Sequence, residues 1–113
     1  MQTASGLCAA AALSAAAFGA SVAEARVSDS DYIRASRCHA IARSDGGSTA
    51  SADALARFLA EEGRGRQAPV QAMADKAAAK AKRDLKTDSA ERKAQLMAEL
   101  SGACQAYTAA PSA

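Results

Sequence analysis

A chain of 113 residues carries fourteen Lys and Arg against twelve Asp and Glu, a net charge of +2 with the signs interspersed. That balance excludes the strong one-sided field of a nucleic-acid or membrane-surface binder. Half of the residues are hydrophobic, yet only 4% are aromatic and none is Trp, so most of the apolar content is alanine and the core of any domain is thin.

Residues 1–25 read as a secretory signal peptide. The apolar stretch from Leu7 to Val22 ends at small residues, and cutting after Ala23 or after Ala25 places small side chains at both required positions. No Lys or Arg precedes the stretch. An uncleaved anchor does not fit, because alanine is barely apolar and a spanning helix wants about 20 well-hydrophobic residues. Cys8 stands at the start of the apolar run rather than after it, which argues against lipidation. All fourteen basic residues and all acidic ones but Glu24 follow the cut, so the balance remains mildly positive. The expected localisation is periplasmic or secreted.

The remaining chain divides into a helical domain over 26–108 and a disordered tail over 109–113. Ser28 caps the first helix, with Asp31 completing a box-like pattern; the helix is expected over about 30–43, with Ala35, Cys38, Ile41 and Ala42 inward. The cluster Ser44-Asp45-Gly46-Gly47-Ser48 ends it. A second helix over about 51–62 presents Leu55, Phe58 and Leu59 on one face, and Gly63 is placed to close it in a left-handed conformation. Residues 63–69 form a basic, glycine-rich and mobile stretch. Pro69 starts a third helix over about 69–86, with Val70, Met73, Ala77, Ala81 and Leu85 inward. Thr87-Asp88-Ser89 is a soft boundary, Asp88 with Glu91 serving as a cap. A fourth helix over about 89–108 carries a seam of Met97, Leu100, Cys104 and Tyr107, and Gly102 sits inside it at a cost of about 1 kcal/mol. With no Gly or Pro at 87–89, the last two helices are either separate or one rod. The fold class is therefore all-α, a small three- or four-helix up-and-down bundle.

Cys38 and Cys104 both fall on inward faces, on the first and last helices. In an oxidising compartment they are expected to pair, closing a loop of 66 residues. That restricts the unfolded chain by about 4 kcal/mol. No Cys-x-x-Cys spacing suggests a redox-active pair.

His39 is the one histidine. Its helical neighbours four residues away are Ala35 and Arg43, so no metal-ligand set converges on it, and a structural or solvent-facing role is expected. No catalytic, cofactor or metal residue is assigned. Lys76, Lys80 and Arg83 form a basic stripe on the third helix, with Lys82 and Lys86 beside it. Neither aromatic stacking residues nor a nucleic-acid motif accompany it, so it reads as a solvated face.

In layout, as an exported helical domain with one disulfide, the chain resembles the small acid-stress chaperones of the bacterial periplasm; it lacks their dense lysine tail. Three functional classes follow. The first is a non-enzymatic exported protein acting by contact with another exported protein, in an envelope-stress, chaperone-like or inhibitor role. The second is a structural or accessory envelope protein binding a surface through the basic helix face. The third is a metal or haem carrier or an enzyme, for which no motif speaks.

Overall fold

The computed structural model describes residues 26–108. The expected signal peptide over 1–25 with its cleavage site, Cys8, and the expected tail over 109–113 lie outside the described residues. Four separate helices follow one another: α1 (Asp29–Ala42), α2 (Thr49–Glu62), α3 (Ala68–Asp84) and α4 (Ala90–Ser101), with a closing 3-10 helix over Ala103–Tyr107. The protein is a small all-helical up-and-down bundle pinned by a Cys38–Cys104 disulfide.

The capping expected at the first helix is present. Ser28 Oγ accepts from the Asp31 backbone N–H at 3.0 Å, and Asp31 Oδ2 accepts from the Ser28 N–H at 3.2 Å. These bonds satisfy two amide donors that a helix start otherwise leaves to water. Ser48 caps α2 with a single bond, its Oγ accepting from the Ser51 N–H. The α1–α2 turn is tight enough that a Cβ at Gly47 would collide with the Ala42 carbonyl. Ser89, not Asp88, caps α4 through the Arg92 N–H, which fixes the break that keeps α3 and α4 from fusing.

α1 is the hub. It packs most extensively against α3, then against α2, and it also touches α4 and the closing 3-10 helix. Its buried residues run round the helix rather than along one stripe: Ala35, Ser36, Cys38, Ala40, Ile41 and Ala42. Most are small, which lets neighbouring helix axes approach closely. Leu55 from α2, Ala81 from α3, Leu96 and Leu100 from α4, and Cys104 complete the cluster.

Three sequence expectations change. Met73 is not inward; it is 56% exposed, and Ala74 is buried in its place. At about 100° per residue, Met73 stands about 80° round the helix from Ala81, at the edge of a face that Ala74, Ala78 and Ala81 already fill. The fourth helix does not run to Thr108. It ends at Gly102, and the tighter 3-10 winding carries Cys104 and Tyr107 to the core. Leu96, outside the expected seam, is fully buried.

The third change concerns residues 63–67. Gly63 closes α2 in right-handed geometry (φ −76°), and Gly65 takes the left-handed one (φ +81°). Rather than leaving the stretch loose, Arg66 fastens it. Arg66 donates to the Glu62 carbonyl (2.8 Å), the Asp29 carboxylate (2.7 Å) and the Val27 carbonyl (2.9 Å), and its guanidinium lies 5.4 Å from the Tyr32 ring centroid. Its side chain is only 15% exposed. Arg66→Ala should lower stability by about 1–3 kcal/mol, the range for lost hydrogen bonds to a charged group. The exposed neighbour substitution Arg64→Ala should change it by less than about 0.5 kcal/mol. Urea midpoints of the two variants check this, and equal midpoints would show that Arg66 does not fasten the loop.

Candidate functional site

Two polar clusters are closed on themselves. In the first, Arg37 of α1 grips Glu99 of α4 with two parallel bonds, Nε to Oε2 at 2.7 Å and Nη2 to Oε1 at 3.0 Å. Asp84, at the end of α3, lies 3.9 Å from Arg37 Nη1, 3.1 Å from Arg92 Nη2 and 3.3 Å from Lys80 Nζ. The hydrogen bond to Glu99 holds the Arg37 guanidinium above its ordinary pKa. Burial pushes the Asp84 carboxyl up, but the hydrogen bonds and charges of Lys80 and Arg92 outweigh it and leave Asp84 below its ordinary value. Three helices are thus joined by one charged network, and the bidentate fork gives it a fixed geometry.

Glu99 also stands beside the disulfide: its carboxylate lies within 4.8 Å of the sulfurs of Cys38 and Cys104. The sulfurs are bonded to each other and the carboxylate is held by Arg37, so these three are not metal ligands. The disulfide joins the middle of α1 to the closing 3-10 helix, with the two Cα atoms 5.7 Å apart and both residues buried.

In the second cluster the Tyr107 hydroxyl donates to Asp31 Oδ1 at 3.1 Å, and its ring packs on Phe58 at a tilted 5.3 Å. The Asp31 carboxyl is held below its ordinary pKa, first by the Ser28 backbone N–H and then by the Ser28 hydroxyl. The Tyr107 phenol is pushed up, first by burial and then by its bond to that carboxylate. This cluster completes the start of α1 and ties the closing 3-10 helix to it.

The third region is different. A groove of about 360 Å³ opens between the C-terminal part of α1 and α3. His39, Ala40, Arg43 and Ser44 form one wall, and Ala78, Lys82 and Leu85 form the other. Its lining holds three basic side chains and no carboxylate. Arg37, Arg66, Lys80 and Arg92 each have an acidic partner; among the described residues Arg43 and Lys82, like the remaining basic side chains, form no ion pair. His39 is half-buried, neither in the core nor free on the surface. Its pKa is pushed below the ordinary value, first by burial and then by the charges of Arg43 and Lys82. Ser44 Oγ donates to the Ile41 carbonyl at 2.6 Å, so its proton is already used. Sequence spacing brings His39 and Arg43 together, one helical turn apart, but Lys82 joins them only through the packing of α3 on α1, which no local pattern encodes.

The basic stripe expected on the third helix is partly neutralised. Lys80 is paired with Asp84, whereas Lys76 and Arg83 make no ion pair among the described residues. Replacing Lys76, Lys80 and Arg83 by Gln should leave the melting midpoint almost unchanged, because exposed charges contribute about 0–1 kcal/mol each at most. Neither the wild type nor the variant should shift duplex or single-stranded DNA in a gel at physiological salt. Binding by the wild type that the triple variant loses would make the stripe a nucleic-acid site.

No helix among the described residues is long and apolar enough to cross a membrane. No protein-family model matches the chain, and neither a curated protein nor a solved structure does.

Proposed function

We propose that the protein works in an oxidising compartment, periplasmic or secreted, as a non-enzymatic helical module that acts by contact with another exported protein. An envelope-stress, chaperone-like or inhibitor role would each use such a module. The buried Cys38–Cys104 disulfide supports the compartment, since such bonds persist outside reducing cytosol. The observation that carries the contact reading is the outward position of Met73. Among the described residues Met73 is the exposed large apolar side chain, and it stands beside a row of cations rather than inside a contiguous apolar patch. Met73 shares an arc of α3 with Lys76, Lys80 and Arg83, spaced three and four residues apart. A soft, polarizable side chain beside a row of cations suits an acidic partner with an apolar spot.

The test is co-purification from the exported fraction with wild type and Met73→Asp. The exposed substitution leaves the fold intact, as a melting curve verifies. Wild type should retain a partner that Met73→Asp loses. A partner retained equally by both variants would remove the α3 face from the reading, and recovery of the protein from the cytosol alone would end it.

A further inference from the structure

The groove between α1 and α3 has chemistry that the contact role leaves unused. It lies on the flank of α3 opposite the Met73 arc: at about 100° per residue, Lys82 is half a turn away from Met73. We propose that this groove binds a phosphoryl group, with Arg43 and Lys82 supplying two fixed positive charges, His39 a third donor, and Ala40, Ala78 and Leu85 an apolar bed for the organic part of a phosphomonoester.

Charge carries the first part of the argument. Arg43 and Lys82 face one another across the groove without an acidic side chain between them, and the half-buried His39 sits against both. Basic side chains suit the C-terminal turns of α1 and α3, where His39 and Lys82 stand, but here two cations also face each other across one concavity with no carboxylate in its lining, and like charges brought together without a counterion repel. A bound anion turns that repulsion into attraction. Two fixed cations match a group carrying about two negative charges near neutral pH, which describes a phosphomonoester and not a single carboxylate. Arginine offers a planar fork and lysine a mobile point charge, both suited to phosphate oxygens.

Size and lining carry the second part. A volume of about 360 Å³ falls at the low end of the range for small-molecule sites, about 300–1,000 Å³. It accommodates a phosphoryl group with a short organic substituent. The two alanines and Leu85 offer apolar contact and no hydrogen-bond partner, so the substituent expected there is aliphatic. The shared chemistry, a phosphomonoester, occurs both in free small molecules and in lipid headgroups such as phosphatidic acid.

The proton balance sets a direction. The groups facing His39 are Arg43 at the end of its own helix and Lys82 on α3, both cationic, and both disfavour the imidazolium. A phosphoryl dianion favours it, so binding should raise the proton affinity of His39; the phosphoryl group itself takes up a proton at about pH 6, so the dianion that matches the two cations is the form present at pH 7.5.

The experiment follows the His39 ring by heteronuclear NMR in the oxidised protein. Inorganic phosphate, butyl phosphate and, at matched ionic strength, sodium chloride are added at pH 7.5, and the ring is then titrated through pH 6. The proposal expects saturable shifts at His39 with both phosphates at pH 7.5, tighter for butyl phosphate, a His39 titration moved upward by the bound ester, and no such effects with chloride. Arg43→Gln and Lys82→Gln should each weaken binding about tenfold, the size of one lost charge-assisted contact. Lys76→Gln, on the Met73 arc, should not alter it. All three sites are exposed, so unchanged thermal melts separate lost binding from lost fold. Sedimentation with vesicles of phosphatidylcholine containing phosphatidic acid separates the two sources. Vesicle binding lost in Lys82→Gln but retained in Lys76→Gln assigns the lipid headgroup; soluble binding without vesicle binding assigns the free ester. Shifts that rise linearly without saturation, or that Lys76→Gln reduces as much as Lys82→Gln, overturn the proposal. Because Met73→Asp leaves the groove untouched, loss of a protein partner and loss of phosphate binding fail separately.

Discussion

Cys38→Ser, Cys104→Ser and the double variant should each melt well over 10 °C below the wild type, and all three at about the same temperature. The disulfide closes a loop of 66 residues, and its removal frees the unfolded chain by about 4 kcal/mol in the chain-entropy account. A domain of this size shifts by about 4–8 °C for each kcal/mol. Total stability for small domains is about 5–15 kcal/mol. With Ile41, Leu55, Leu96 and Cys104 as the largest fully buried side chains, this one belongs at the low end, so the loss is a large fraction of the whole. Equality of single and double variants follows because one bond is at stake. Differential scanning calorimetry of the oxidised wild type against the three variants decides it. A double variant that melts with the wild type, or two free thiols in the purified oxidised protein, would remove the disulfide from the account of stability.

The second large effect is Leu55→Ala. Leu55 is fully buried and is the one buried residue of α2. Its truncation removes the transfer free energy of the side chain and leaves a void against α1, together about 2–5 kcal/mol. Met73→Ala, a truncation of similar size on α3, should stay within about 0.5 kcal/mol because Met73 is already in water. Chemical denaturation of both variants measures the contrast. Equal losses would mean that Met73 is packed after all, and with it the whole register of α3 would have to rotate.

That contrast also marks how far the sequence can be read. The start of α1 is legible because capping is local: Ser28 and Asp31 satisfy each other within four residues. Cys38 and Cys104 are legible because both recur with larger apolar neighbours at helical spacing. α3 is not, because in Ala68–Asp84 small apolar residues stand on every side. Hydrophobic size then favours Val70 and Met73, whereas close packing against the small residues of α1 favours Ala74 and Ala81, which are the ones buried. The end of α4 is hidden for another reason. A glycine within a helix is tolerated at a modest cost, and only the need to bring Cys104 against Cys38 shows why the helix stops at Gly102 and tightens. The groove is half legible. His39 and Arg43 are neighbours by spacing, but Lys82 reaches them through the packing of two helices 40 residues apart in sequence, and Arg66 reaches Asp29 and Val27 over a similar separation.

The position of the hub helix in the chain sets an order of events. Among the described helices α1 is the first to leave any machine that delivers the chain from its N-terminus, and each later one has a surface waiting for it. The covalent closure cannot follow that schedule. Cys104 lies in the last turn of the described fold, so among the described residues Cys38 has no cysteine to pair with until nearly the entire domain has emerged. During that interval the nearest available oxidising partner is another molecule. Mixed disulfides through Cys38 are therefore the characteristic error of this topology, and a chain cut short before residue 104 has no route out of it.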